Sequence, residues 1–270
     1  MTPAQATGKH RRIVVAMDSN AESLAGLRRA AALAAELRIE LAGLFLEDVN
    51  LLRMSELPGH EISLASGTRS ATSRTGMERQ MRQRAATAQR EVERLARTFS
   101  LSWSFEVRRA GLDNALREAA KANELVCSAL APPAQPHVAP RAAVKAGYPH
   151  APTHRPRPVL ALFEGGICGA QVLDLATRAA QINHQPLEVL VPARAGGASE
   201  RAMGEVSRGL AGAEVTATAR RLPVSVKALL DALASARGQA LFLDAAGAAA
   251  GRLAALRAAA KCDLLLVSRR

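Results

Sequence analysis

The chain has 270 residues, 49% of them hydrophobic, with a formal net charge of +12 and three cysteines. This length suits two domains of ordinary size. No apolar run reaches the ~18–20 residues needed to span a bilayer as a helix, and three scattered cysteines do not make a disulfide framework. Most of the basic residues are Arg distributed along the whole chain, and aromatic residues make up 3%. Few platforms therefore exist for base stacking, and the charge reads as solvated helix faces, so specific nucleic-acid binding is not expected. The polar opening, residues 1–12, precedes the first apolar run without a secretory-type segment, so the expectation is a cytoplasmic protein without a membrane partner.

The first predicted strand is Ile13-Val14-Val15-Ala16-Met17, continuously apolar as a buried parallel strand should be. It ends at Asp18-Ser19-Asn20, and Ser19 with Glu22 fits a capping box at the start of a helix. Leu24, Leu27, Ala31, Ala34 and Leu37 give that helix one apolar stripe, and a second strand follows over 41–46. Residues 47–73 are less regular, with a short helix expected at 49–57 and a Ser/Thr/Gly-rich loop after it. A long amphipathic helix is predicted from about 76 to 98. The strand at 101–107 alternates Trp103, Phe105 and Val107 with polar residues, the pattern of a half-exposed edge. A helix at 112–122 and a strand at 124–129 complete the first half.

Residues 131–158 are rich in Pro, which donates to neither helix nor sheet, and read as an extended linker. His150 and His154 lie in it, but Pro152 between them removes the helix that would align them on a metal, so no metal site is expected. The second half repeats the order of the first. Strands are predicted at 159–163, 187–191, 214–220, 240–243 and 262–267. Helices are predicted at 170–182, 199–210, 225–237 and 249–260.

Strands alternating with helices imply parallel sheets covered on both faces. The expected fold class is α/β: two Rossmann-like doubly wound parallel-sheet domains in tandem. The expected domains are 1–130 and 159–270, joined by the linker at 131–158, with the first domain short of its last strand. An uncovered sheet edge invites pairing, so either the second half or another copy of the chain is expected to cover it. The partner expectation is thus a homo-oligomer or an intramolecular pair of domains.

The segment RRIVVAMDSNAESLAGLRRAAALAAELRIELAGLFLED and the ending LAALRAAAKCDLLLVSRR resemble the opening and closing of universal stress proteins, here in a divergent tandem arrangement. The resemblance implies roles in stress adaptation and signalling, and ATP binding in some members. It also implies that Asp18, with Ser19 beside it, occupies the position of the nucleotide-binding Asp that closes strand one. An Asp there also serves simply to support a helix N-terminus.

ATP-binding members carry a glycine-rich loop after strand four, whose amides form a nest for phosphates. Here Ser128-Ala129-Leu130-Ala131-Pro132-Pro133 stands in that place without a glycine. In the second half Glu164 replaces the Asp, and Gly247 and Gly251 lack the family spacing. The expectation is therefore a non-enzymatic stress-response or regulatory protein with degraded phosphate sites and no cofactor beyond weak adenine-nucleotide binding. Two alternatives stand beside it: an adenine-nucleotide sensor using an altered site around Asp18, and a polyanion or nucleic-acid binder. No catalytic constellation is apparent, so no catalytic residue is assigned. Cys127, Cys168 and Cys262 read as reduced thiols, at least two of them in the core. A redox role for Cys168, just before a predicted helix, is the alternative.

Overall fold

The computed structural model describes residues 12–17, 21–47, 60–62, 69–71, 74–122, 125–128, 157–193, 198–223 and 225–268. Asp18, Ser19, the expected helix at 49–57 and almost all of the Pro-rich linker lie outside the described residues.

The first half builds a doubly wound sheet from its apolar runs. The elements are β1 (Arg12–Met17), α1 (Ala21–Leu37), β2 (Glu40–Glu47), β3 (His60–Ile62), β4 (Arg69–Ala71), α2 (Arg74–Thr98), β5 (Trp103–Arg109), α3 (Leu112–Lys121) and β6 (Leu125–Ser128). Strands β5, β2, β1 and β6 lie side by side and parallel, in that order. Helices α1 and α2 pack on one face, through residues such as Leu27, Ala31, Val92 and Leu95, all fully or nearly fully buried. Their buried positions recur three and four apart, as a single buried face requires. Within the segment expected to be a loop, β3 and β4 pair antiparallel.

The second half supplies β7 (Val159–Leu162), α4 (Gly166–Ile182), β8 (Leu187–Pro192), α5 (Ala198–Gly209), β9 (Ala217–Leu222), α6 (Val226–Ala236), β10 (Ala240–Asp244), a 3-10 turn (Ala248–Arg252), α7 (Leu253–Ala260) and β11 (Asp263–Val267). Strands β10, β7, β8 and β9 run parallel in that order. Ser225 caps α6, its Oγ accepting the Ala228 N–H at 3.4 Å. Helix α4 starts four residues earlier than its apolar stripe suggests. Gly165 and Gly166 hold φ of +81° and +73°, a turn open to glycine that lets the helix begin at once. Cys168 consequently lies inside the first turn of α4 and is buried.

Two compact units emerge, and they do not follow the sequence halves. Residues 1–130, 243–254 and 263–270 form one; residues 131–242 and 255–262 form the other. The first unit's fifth strand is therefore β11, which pairs antiparallel to β6, with Leu265 opposite Cys127. Among the described residues the first half has no fifth strand of its own, and the edge of β6 is covered by β11, a segment the sequence pattern assigns to the second half.

The join is reinforced by a long-range ion pair. Arg29 of α1 donates from Nε (2.7 Å) and from Nη2 to the same carboxylate oxygen of Asp263. Both side chains are mostly buried. Breaking such a pair leaves its partner poorly solvated. Asp263→Ala is expected to cost about 1–3 kcal/mol, read as a lower urea midpoint at unchanged slope. A shift below about 0.5 kcal/mol would mean that the pair behaves as a surface contact.

Candidate functional site

In doubly wound sheets ligands bind beyond the carboxyl ends of the strands, at the point where strand order reverses. In the first unit that point lies between β1 and β6. Ala16 and Ser128 are register partners there. The Ser128 hydroxyl is buried and has no hydrogen-bond partner among the described residues. Asp18 and Ser19, the residues expected to hold a nucleotide, follow β1 directly but fall outside the described residues, as do the residues after Ser128.

The loop after β10 is fully described, and its geometry is specific. Asp244 is buried, and its Oδ1 accepts the Ala246 N–H at 2.8 Å. The Gly247 N–H donates to the Asp244 carbonyl (3.1 Å), the Ala245 N–H to the Val267 carbonyl (2.8 Å), and the Ala250 N–H to the Gly247 carbonyl (3.1 Å). An Asp bonding the backbone two residues on is an Asx turn, the local alternative to leaving amides open. The successive amides that would form an anion nest here are thus already engaged. The carboxylate that engages one of them also carries the wrong charge to sit beside a phosphate. The sequence signal for this was Asp-Ala-Ala-Gly itself, which glycine spacing alone does not reveal.

The second unit presents a cleft at the carboxyl ends of β7 and β8. It is lined by Phe163, Glu164, Gly165, Pro192, Arg201 and Glu205 and encloses about 170 Å³. Gly169, one turn into α4, packs against the Phe163 ring, which a Cβ would meet at 3.1 Å. Gly165-Gly166 and Gly169 thus combine a tight strand-to-helix turn with close helix–strand packing. The volume falls below the ~300–1,000 Å³ of usual ligand pockets. The lining also sets one Arg among two Glu, a mixed charge that favours no nucleotide phosphate. A smaller depression of about 140 Å³ on the first unit's sheet is lined by residues that include Arg12, Ala42, Leu44, Ser104, Glu106 and Arg108.

Cys127 and Cys168 are buried and Cys262 is partly exposed. Among the described residues no group of three or more His, Cys, Asp or Glu is placed to hold a metal ion. Among them, too, no helix is long and apolar enough to cross a membrane.

No family model and no curated protein matches the chain. Among solved structures it is similar to a universal stress protein from Archaeoglobus fulgidus DSM 4304, at 10% identity over 97% of each chain with a TM-score of 0.46. It is also similar to a putative universal stress protein from Pseudomonas aeruginosa UCBPP-PA14, at 13% identity over 96% of this chain and 93% of that one, TM-score 0.48. A universal stress protein in complex with cAMP matches 42% of this chain and 70% of its own at 17% identity, TM-score 0.27. At these scores the likeness carries no argument about ligands; the doubly wound α/β reading rests on the strand order of the two units.

Proposed function

We propose that the chain is a cytoplasmic, non-enzymatic stress-response or regulatory protein whose loops no longer grip a nucleotide's phosphates. The sequence resemblance to universal stress proteins supports the first part. One observation carries the second: the closed turn after β10, where Ala245, Ala246 and Gly247 all spend their amides inside the protein. A phosphate would have to displace these bonds, each contributing about 0.5–1.5 kcal/mol, and do so beside the Asp244 carboxylate.

Binding to nucleotides is then governed by net charge rather than by a fixed cradle. The exposed arginines of α2, Arg79, Arg82 and Arg84 among them, attract any polyanion alike. Titration calorimetry with ATP, inorganic triphosphate and cAMP at physiological salt tests this. The expected result is weak binding that does not distinguish the nucleotides from triphosphate beyond their charge and that falls steeply as salt rises, because each phosphate contact releases counterions. Micromolar or tighter ATP binding, lost on Asp18→Ala, would restore the nucleotide-sensor reading.

A further inference from the structure

Strand β5 is the outer strand of the first unit's sheet. It pairs with β2 on one side, and no described strand lies on the other. The Leu41 N–H donates to the Ser102 carbonyl, so the even-numbered residues of this strand turn their backbone groups toward β2. Phe105, Val107 and Arg109 therefore direct their N–H and C=O groups outward, ready to pair. Val107 is 46% exposed, one of few large apolar side chains so placed among the described residues. Glu106 and Arg108 flank it and point to the opposite face of the sheet. They form an exposed ion pair, with Arg108 Nη2 2.8 Å from Glu106 Oε1.

We propose that two copies of the chain pair antiparallel along β5, with Val107 on the two-fold axis. In that register Val107 lies opposite Val107 of the second copy as a hydrogen-bonded pair, and Phe105 opposite Arg109 likewise. Glu106 then faces Arg108 across the axis, twice, at the non-hydrogen-bonded positions where opposed side chains come closest. The neighbouring registers fail on charge. Centring the pairing on Glu106 sets Glu106 against itself, and centring it on Arg108 sets Arg108 against itself.

Charged residues on an edge strand commonly serve to prevent pairing. A blocking device needs no particular order of signs, whereas Glu-Val-Arg is self-complementary about its central residue and leaves one register attractive. A two-fold interface of this kind is self-complementary by construction.

Sedimentation velocity on the full chain, across about 1–100 μM, tests the proposal, with far-UV circular dichroism as the check on folding. The expected result is a reversible monomer–dimer equilibrium. Glu106→Arg alone and Arg108→Glu alone each replace two attractive cross-strand pairs with two repulsive ones, and each should weaken the dimer about tenfold or more. An equimolar mixture of the two variants places Arg opposite Glu again and should recover dimer. So should the double exchange E106R/R108E within one chain. The proposal is overturned by a monomer at every concentration, by a dimer indifferent to both single changes, or by folded variants that neither mixing nor double exchange restores.

Discussion

Removal of residues 263–270 is expected to abolish the folded first unit. The shortened chain should show a reduced helical and strand signal, no cooperative melt for this unit, and aggregation on size-exclusion chromatography. Leu264, Leu265, Leu266 and Val267 are all buried in β11. Returning four such side chains to water costs about 1.5–3 kcal/mol each, comparable in total to the 5–15 kcal/mol that holds a whole domain together. The deletion also uncovers the antiparallel edge of β6 and removes Asp263 from Arg29. An edge stripped of its partner is a template for pairing with other chains, hence the expected aggregation. A fragment of residues 1–130 should fail for the same reason. A truncated chain that stays soluble and monomeric and melts within a few degrees of the full one would show that β11 is an accessory to the unit rather than part of its core.

The next largest effect is expected from one added side chain at Gly43. This residue sits mid-strand in β2, between Val15 and Phe105 in register. A Cβ there would lie 2.8 Å from both Phe105 Cδ2 and Val92 Cγ2, closer than real carbons approach. Glycine at this point lets α2 press onto the sheet. Gly43→Val would have to move a ring and a helix together, and overpacking of this kind costs about 3 kcal/mol. In a chain of this size that corresponds to a fall of about 6–12 °C in melting temperature, by calorimetry. Gly251→Ala makes the contrast, since an added Cβ there meets nothing within 4 Å; it should shift the melt by no more than a degree or two. Equal effects at the two sites would refute the packing account.

The strands were legible because each buried parallel strand is a short, unbroken apolar run. Val159–Leu162 and Leu125–Ser128 fall close to where the residues alone put them. The edge character of β5 was legible from the alternation of Trp103, Phe105 and Val107 with polar neighbours. The partner of β11 was not. Asp-Leu-Leu-Leu-Val is apolar throughout, and such a run states that it is buried without stating which strand it joins or in which direction. The one local hint, Asp263, makes sense only once Arg29, 234 residues away, is seen beside it.

The candidate site divides in the same way. Asp18 and Ser19 were picked out by position after a strand, and they lie outside the described residues. The closure of the loop after β10 depends on a hydrogen bond from a backbone amide to a side chain. Asp244 could have suggested it, because Asp so often bonds the amide two residues on. Glycine counting looks for open loops and passes over one that an Asp has shut.

The borrowing of β11 also sets a schedule for synthesis. Ser128 of β6 leaves the ribosome well before Asp263 of β11, with about 135 residues between them. At roughly 5–20 residues per second, that interval lasts about 7–27 seconds. Throughout it the nascent first unit carries an open strand edge and cannot reach its final state. Domain-by-domain folding from the N-terminus, the usual course, is closed to this chain. Its first unit is committed to finish late, and a chaperone that shields β6 during the wait would raise the yield of native protein more than one acting after release.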